Sequence, residues 1–187
     1  MPKQPQRLFL IDGSSYIYRA YYAIRHLSNS QGMATNAIYG FTNMLLKVIR
    51  ESQPDQLAVI YDSKGPTFRK DIYSEYKANR SAMPEDLVPQ IPYIKRVVDA
   101  FNLPGIEKPG YEADDIIGTF ARKGEESGCE VWCVTGDKDF FQLVNEKVRI
   151  YNPKKASEPA LRMGREEVKA KFGVYPEAVI DKLALMG

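Results

Sequence analysis

The chain has 187 residues, 44% of them hydrophobic and 27% charged, with a formal net charge of +2. That length and balance fit one globular domain with a sizeable core and exclude collagen, coiled coil and disorder. A near-neutral total confines any nucleic-acid binding to local basic clusters, and the single histidine, His26, excludes His-rich zinc sites.

No apolar run reaches the roughly 18 residues of a membrane span, and "MPKQPQR" lacks the apolar stretch of a signal peptide. A cytoplasmic protein without a membrane partner is expected. Cys129 and Cys133, four apart on one strand, lie about 13 Å from each other end to end. They cannot bridge and read as small core residues of a reducing compartment. His26, set among turn residues in "AIRHLSNSQG", reads as an exposed loop side chain.

Strand-like runs alternate with helix-period stretches along the chain. "RLFLID" (7–12) is followed by "SSYIYRAYYA", either a packed helix or a surface carrying Tyr16, Arg19 and Tyr22. In 35–52, Ile38, Phe41, Leu45, Val48 and Ile49 keep the three-and-four spacing of a buried helical face. Then come a strand at 57–62, a helix at 85–102, a weak strand at 103–107, a helix at 112–128, and strands at 129–137 and 148–151. From Gly164 onward the chain reads as two short helices. The alternation predicts βαβ units and an α/β fold, with a mostly parallel central sheet and helices on both faces.

The acids fall where such a fold places its binding crevice. Asp12 and Asp62 end two strands, and "VTGDKD" supplies Asp137 and Asp139 after a third. "GYEADDIIGT" sets Glu112, Asp114 and Asp115 at a helix start, which arrives at the same sheet edge. Taken singly, each acid is an ordinary helix or turn cap. Seven together would raise one another's pKa and destabilise the fold unless a cation sits among them. All-oxygen donors without His or Cys suit Mg²⁺ or Mn²⁺. That many carboxylates fit two ions about 4 Å apart, the arrangement for phosphodiester cleavage. Lys138 is the one cation beside a pair of these acids in sequence.

Residues 63–84 carry a basic and aromatic stripe. Wound as a helix, this segment brings Arg69, Tyr73, Tyr76, Lys77 and Arg80 within an arc of roughly 80°, with Asp71 and Glu75 opposite. Cations that neutralise phosphate beside rings that stack unpaired bases are the signature of single-strand binding. Arg19 extends that DNA-binding set. On an exposed stripe, removing Lys77 is expected to cost under roughly 0.5 kcal/mol of stability.

"FLIDGSSYIYRAYYA", "VIYDSKGPTFRKDIYSEYKANR", "PGYEADDIIGT" and "VTGDKDFFQLV" together resemble the flap endonuclease family, in particular the 5′ nuclease (5′-3′ exonuclease) domains of bacterial DNA polymerase I. The resemblance runs from about Arg7 to the last residue. It implies a PIN-like 5′ nuclease fold with a helical arch over about 63–84, and two Mg²⁺ ions that Mn²⁺ can replace. Asp12, Asp62, Glu112 and Asp114, with Asp115 beside them, resemble the acids around a first metal; Asp137 and Asp139 resemble ligands of a second. Lys77 and Arg80 resemble the arch pair that contacts the scissile phosphate, and Tyr76 resembles the arch tyrosine. The implied catalytic set is Lys77, Arg80, Asp62 and Asp114, acting in a monomer on DNA with a free 5′ end or flap in a bacterial cytoplasm. Members of the family continue past "LALMG" into a helix–hairpin–helix region that grips duplex and adds acids, so residues 1–187 read as a single nuclease domain without that part. The alternatives are a PIN-type ribonuclease, a DNA-binding fragment without catalysis, and, more remotely, a phosphoacceptor receiver.

Overall fold

A computed structural model describes residues 4–77, 82–153 and 158–186. Six strands form one sheet in the order β3-β2-β1-β4-β5-β6, where β1 is Arg7–Asp12, β2 Gln56–Ile60, β3 Gly105–Ile106, β4 Glu130–Val134, β5 Val148–Asn152 and β6 Leu161–Met163. The first five are mutually parallel and β6 pairs antiparallel with β5. This is the mostly parallel α/β sheet that the strand–helix alternation predicts, and β6 is the strand it missed. At three residues, β6 is too short to show a period.

Side chains alternate across the sheet with a period of two. Phe9, Ile11, Leu57, Val59, Trp132, Val134 and Tyr151 face one layer, while Leu10, Ala58, Ile60, Val131, Cys133 and Ile150 face the other. On the first face pack α1 (Gly13–Ala23), α2 (Asn36–Ser52) and α4 (Ile91–Ala100). The second face is covered by α5 (Ala113–Glu126), α6 (Arg165–Phe172) and α7 (Val179–Met186). In α2, Phe41, Leu45 and Val48 are fully buried, with Ile38 and Ile49 at the margin of the core. Tyr16 lies in the core, so "SSYIYRAYYA" is a packed helix; Tyr22 points outward. Both cysteines are free thiols, and His26 is exposed.

Gly13, directly after β1, sits where no larger residue fits. A Cβ there would stand 2.8 Å from the Ile60 carbonyl oxygen, the Val59 side chain and the Tyr61 ring. Glycine is therefore what lets α1 start against the end of β2 and holds Asp12 beside Asp62.

The 63–84 segment is not the continuous helix that its spacing predicts. α3 covers only Phe68–Ile72, and a turn over 74–77 follows. Thr67 provides no side-chain cap, and five residues hold little helical stability of their own. Lys77 then takes a left-handed backbone, φ 58°. Arg80 lies outside the described residues.

Candidate functional site

The order of strands reverses between β1 and β4, the switch point where open α/β sheets bind ligands beyond their carboxyl ends. Asp12 is the last residue of β1, and Asp137 follows β4 by three residues. Asp62 comes two residues after β2, and the first turn of α5 supplies Asp114 and Asp115 just after its N-cap, Glu112. Asp139 begins a 3-10 turn, Asp139–Leu143, whose entry is fixed by the Asp139 N–H donating to Asp137 Oδ1 at 3.0 Å.

Short bonds hold this edge together. Asp12 Oδ1 accepts from the Ser15 N–H at 3.0 Å, and its Oδ2 accepts from the buried Thr135 hydroxyl at 3.1 Å. The Thr135 hydroxyl oxygen also accepts from the Asp137 N–H. Asp62 is pinned twice, its N–H donating to Ser14 Oγ and its Oδ1 accepting from the Ala113 N–H, each at 2.8 Å. Ser14 and Thr135 carry no signal in the sequence, because their roles exist only once three strand ends meet.

The acids sense one another. Burial pushes the Asp12 carboxyl up to about 6, and the charges of Asp62 and Asp137 add to the shift against the Ser15 and Thr135 hydrogen bonds. Asp114 is pushed up to about 7, first by desolvation and then by Asp12, Asp137 and Asp62, with Lys77 opposing. Asp114 nonetheless keeps an open face to water. Asp139 is also raised, by desolvation and then by Asp137.

Two of the seven acids are engaged differently. Glu112, nearly buried, accepts from Lys77 Nζ at 2.6 Å on Oε1 and from the Tyr76 hydroxyl at 3.2 Å on Oε2. Asp115 receives both Arg69 amino groups in a fork, 2.7 Å each, which holds its carboxyl below the usual range. Among the described residues, no three His, Cys, Asp or Glu side chains converge closely enough to hold an ion as they stand. Of the acids that resemble first-metal ligands, Asp12, Asp62 and Asp114 face the crevice, while Glu112 and Asp115 pair with the basic segment.

Among the described residues, Lys77 and Arg69 pair with these acids; proximity in sequence pointed instead to Lys138. Nor do Arg69, Tyr73, Tyr76 and Lys77 form one free binding face. Arg69, Tyr76 and Lys77 turn inward to Asp115 and Glu112, while Tyr73 stays exposed. The attraction of unpaired carboxylates a few ångströms away outweighs helical periodicity in a segment this short. Arg19 is exposed on α1, its guanidinium donating to Asn152 Oδ1 at 2.7 Å at the end of β5. A groove of about 620 Å³ leads away from the acids along α5, lined by Arg69, Asp114, Asp115, Asp139, Arg122 and Asn145 among others.

Residues 7–173 match the family described as 5′-3′ exonuclease, N-terminal resolvase-like domain, and the chain belongs to it. It is 45% identical, over 99% of its length, to a DNA polymerase I of Rhizobium leguminosarum, and spans 19% of that protein. It is 42% identical over 96% of its length to a 5′-3′ exonuclease of Aquifex aeolicus, of which it spans 61%. The flap endonuclease of bacteriophage T5, solved with DNA and metal ions, shares the fold, with a TM-score of 0.73 at 19% identity over 97% of this chain and 66% of the other. No described helix is long and apolar enough to cross a membrane.

Proposed function

We propose that residues 1–187 form the nuclease domain of a 5′-3′ exonuclease or 5′-flap endonuclease, hydrolysing DNA phosphodiester bonds with two divalent cations, Mg²⁺ or Mn²⁺. The observation that carries this reading is the meeting of Asp12, Asp62, Asp114 and Asp137 at the switch point, where burial first and the neighbouring carboxylates second raise the pKa of Asp12 and Asp114, with Lys77 nearby on Glu112. Hard oxygen donors alone fit such ions. Asp12, Asp62, Asp114 and Glu112 would hold one ion, and Asp137 and Asp139 the other. A bound divalent cation supplies Lewis acidity there, acidifying a water and offsetting charge on the phosphate.

The chain's own residues do the rest. Lys77, with Arg80 as second cation, offers charge to a phosphate oxygen in place of Glu112. Transition-state charge of that kind is matched by positioned donors. Tyr73, which stays exposed, offers a face to unpaired bases, and Arg19 a further phosphate contact. The domain acts as a cytoplasmic monomer. The likeness to proteins called DNA polymerase I and 5′-3′ exonuclease supports the substrate class.

The test is cleavage of a 5′-labelled flap, as DNA and as RNA of the same sequence, with Mg²⁺ and with chelator. Mg²⁺-dependent cut DNA with RNA left intact is the expected result. Cleavage of RNA alone would favour a PIN-type ribonuclease, and flap binding without cleavage in Mg²⁺ a non-catalytic DNA-binding module.

A further inference from the structure

We infer that Asp115 is a positioning residue that anchors the basic segment 68–77 over the crevice through Arg69, and that it is not an ion ligand. The inference rests on the nuclease reading and separates Asp115 from the acids around it. Asp114 and Asp115 are adjacent in α5, about 100° apart around the helix. Asp114 looks toward Asp12, Asp62 and Asp137, and no hydrogen bond engages it among the described residues. Asp115 looks toward α3 and is already filled. Its Oδ1 takes one Arg69 amino group, and its Oδ2 takes the other together with the Glu112 N–H at 3.0 Å.

A carboxylate that accepts three N–H donors, two of them in a planar fork, has little left for an ion. The fork is partly sheltered, with side-chain exposures of 31% for Arg69 and 20% for Asp115. Around it the segment is docked by neutral contacts: the Phe68 N–H donates to the Gly110 carbonyl at 3.1 Å, and the Phe68 and Tyr111 rings lie 5.8 Å apart. Eight residues beyond Arg69, Lys77 reaches Glu112, three positions before Asp115. One end of the segment is therefore clamped by a bidentate pair, while the other is held by one neutral Tyr76 hydroxyl bond and the Lys77 ammonium, a point charge free to exchange partners. When Lys77 turns to a phosphate, Asp115 keeps the root of the segment in place.

The experiment compares Asp115→Asn, Arg69→Gln, Arg69→Lys and the charge exchange Arg69→Asp with Asp115→Arg, in the 187-residue protein, with Asp114→Asn as control. Calorimetric Mn²⁺ titration, affinity for a 5′-flap DNA, and the rate of tryptic cutting at Lys70 and Lys77 are read on each. Asp115→Asn and Arg69→Gln are expected to keep Mn²⁺ affinity within about twofold, to weaken flap binding about tenfold, and to show no further loss when combined. Arg69→Lys should behave like Arg69→Gln, because lysine cannot fork, and the charge exchange should recover most of the flap affinity. Tryptic cutting should be faster in every variant that breaks the fork. Loss of Mn²⁺ affinity in Asp115→Asn equal to that in Asp114→Asn would overturn the inference, as would unchanged tryptic cutting in Arg69→Gln. Should the wild type bind neither Mn²⁺ nor flap DNA, the nuclease reading fails, and the tryptic rates alone still decide the anchor.

Discussion

Replacing Asp12 with Asn should stabilise the cation-free protein above neutral pH. Asp12 is only 4% exposed and its carboxyl is pushed up to about 6, from burial first and then from Asp62 and Asp137. Against an unfolded value near 3.9, the gap of roughly two pH units corresponds to about 3 kcal/mol. The sign follows from proton counts. Between about pH 4 and 6 the folded chain holds more protons at this site than the unfolded one, so stability falls as pH rises through that window. Below it the penalty is absent; above it the penalty is complete. Asparagine can still accept from the Ser15 N–H and pair with Thr135, so the local frame survives. Urea unfolding in chelator should then show a gain of about 2–3 kcal/mol at pH 8 and almost none at pH 4. A variant that is destabilised at pH 8, or that gains equally at both values, would refute the crowding argument. Adding Mg²⁺ should reverse the order, raising the melting temperature of the wild type and leaving that of the variant nearly unmoved.

Lys77→Ala should cost about 1–3 kcal/mol, more than the small loss predicted for an exposed stripe, because Glu112 is nearly buried and loses a charged partner. Lys77→Gly should cost about 1 kcal/mol less than the alanine variant, since glycine relieves the left-handed backbone; equal losses in denaturant melts would disprove that strain. Gly13→Ala should lose at least about 2 kcal/mol by forcing a Cβ into the end of β2, and a melting curve equal to wild type would show that α1 can shift. Gln90→Leu should lose about 2–3 kcal/mol, because the fully buried amide serves the Ala37 N–H and the Asn36 side chain at once, and retention of native stability would mean water replaces it.

Much of this architecture is legible before any coordinates. Phe41, Leu45 and Val48 announce a buried helical face, and the run before Asp12 announces a strand whose end carries an acid. Alternation together with the rule that crevices form beyond carboxyl ends places the acids at one sheet edge, whereas the strand order, and with it the switch point between β1 and β4, emerges only in the fold. The basic segment was harder to read. Its helical spacing is real, yet five residues of α3 cannot hold it against the pull of two carboxylates. Periodicity counts neighbours along the chain; the partners of Arg69 and Lys77 come from α5, 46 and 35 residues away. The same blindness hid Thr135, Ser14 and Asn152, whose side chains are unremarkable in sequence and useful only where β2, β1, β4 and β5 end side by side. Of the three acids in "EADD", the ordinary helix-capping explanation holds for Asp115, which caps the Glu112 N–H, while Asp114 faces the crevice.

The claim that the crevice acids are a cation site is tested most directly by calorimetric titration of Mn²⁺ into the wild type and Asp114→Asn at pH 8, where the Asp12 and Asp114 carboxyls are ionised. The wild type should bind the cation saturably, and Asp114→Asn should lose most of that binding while unfolding at least as late as the wild type in chelator. Saturable binding that is unchanged in Asp114→Asn, or no binding by a folded wild type, would contradict it.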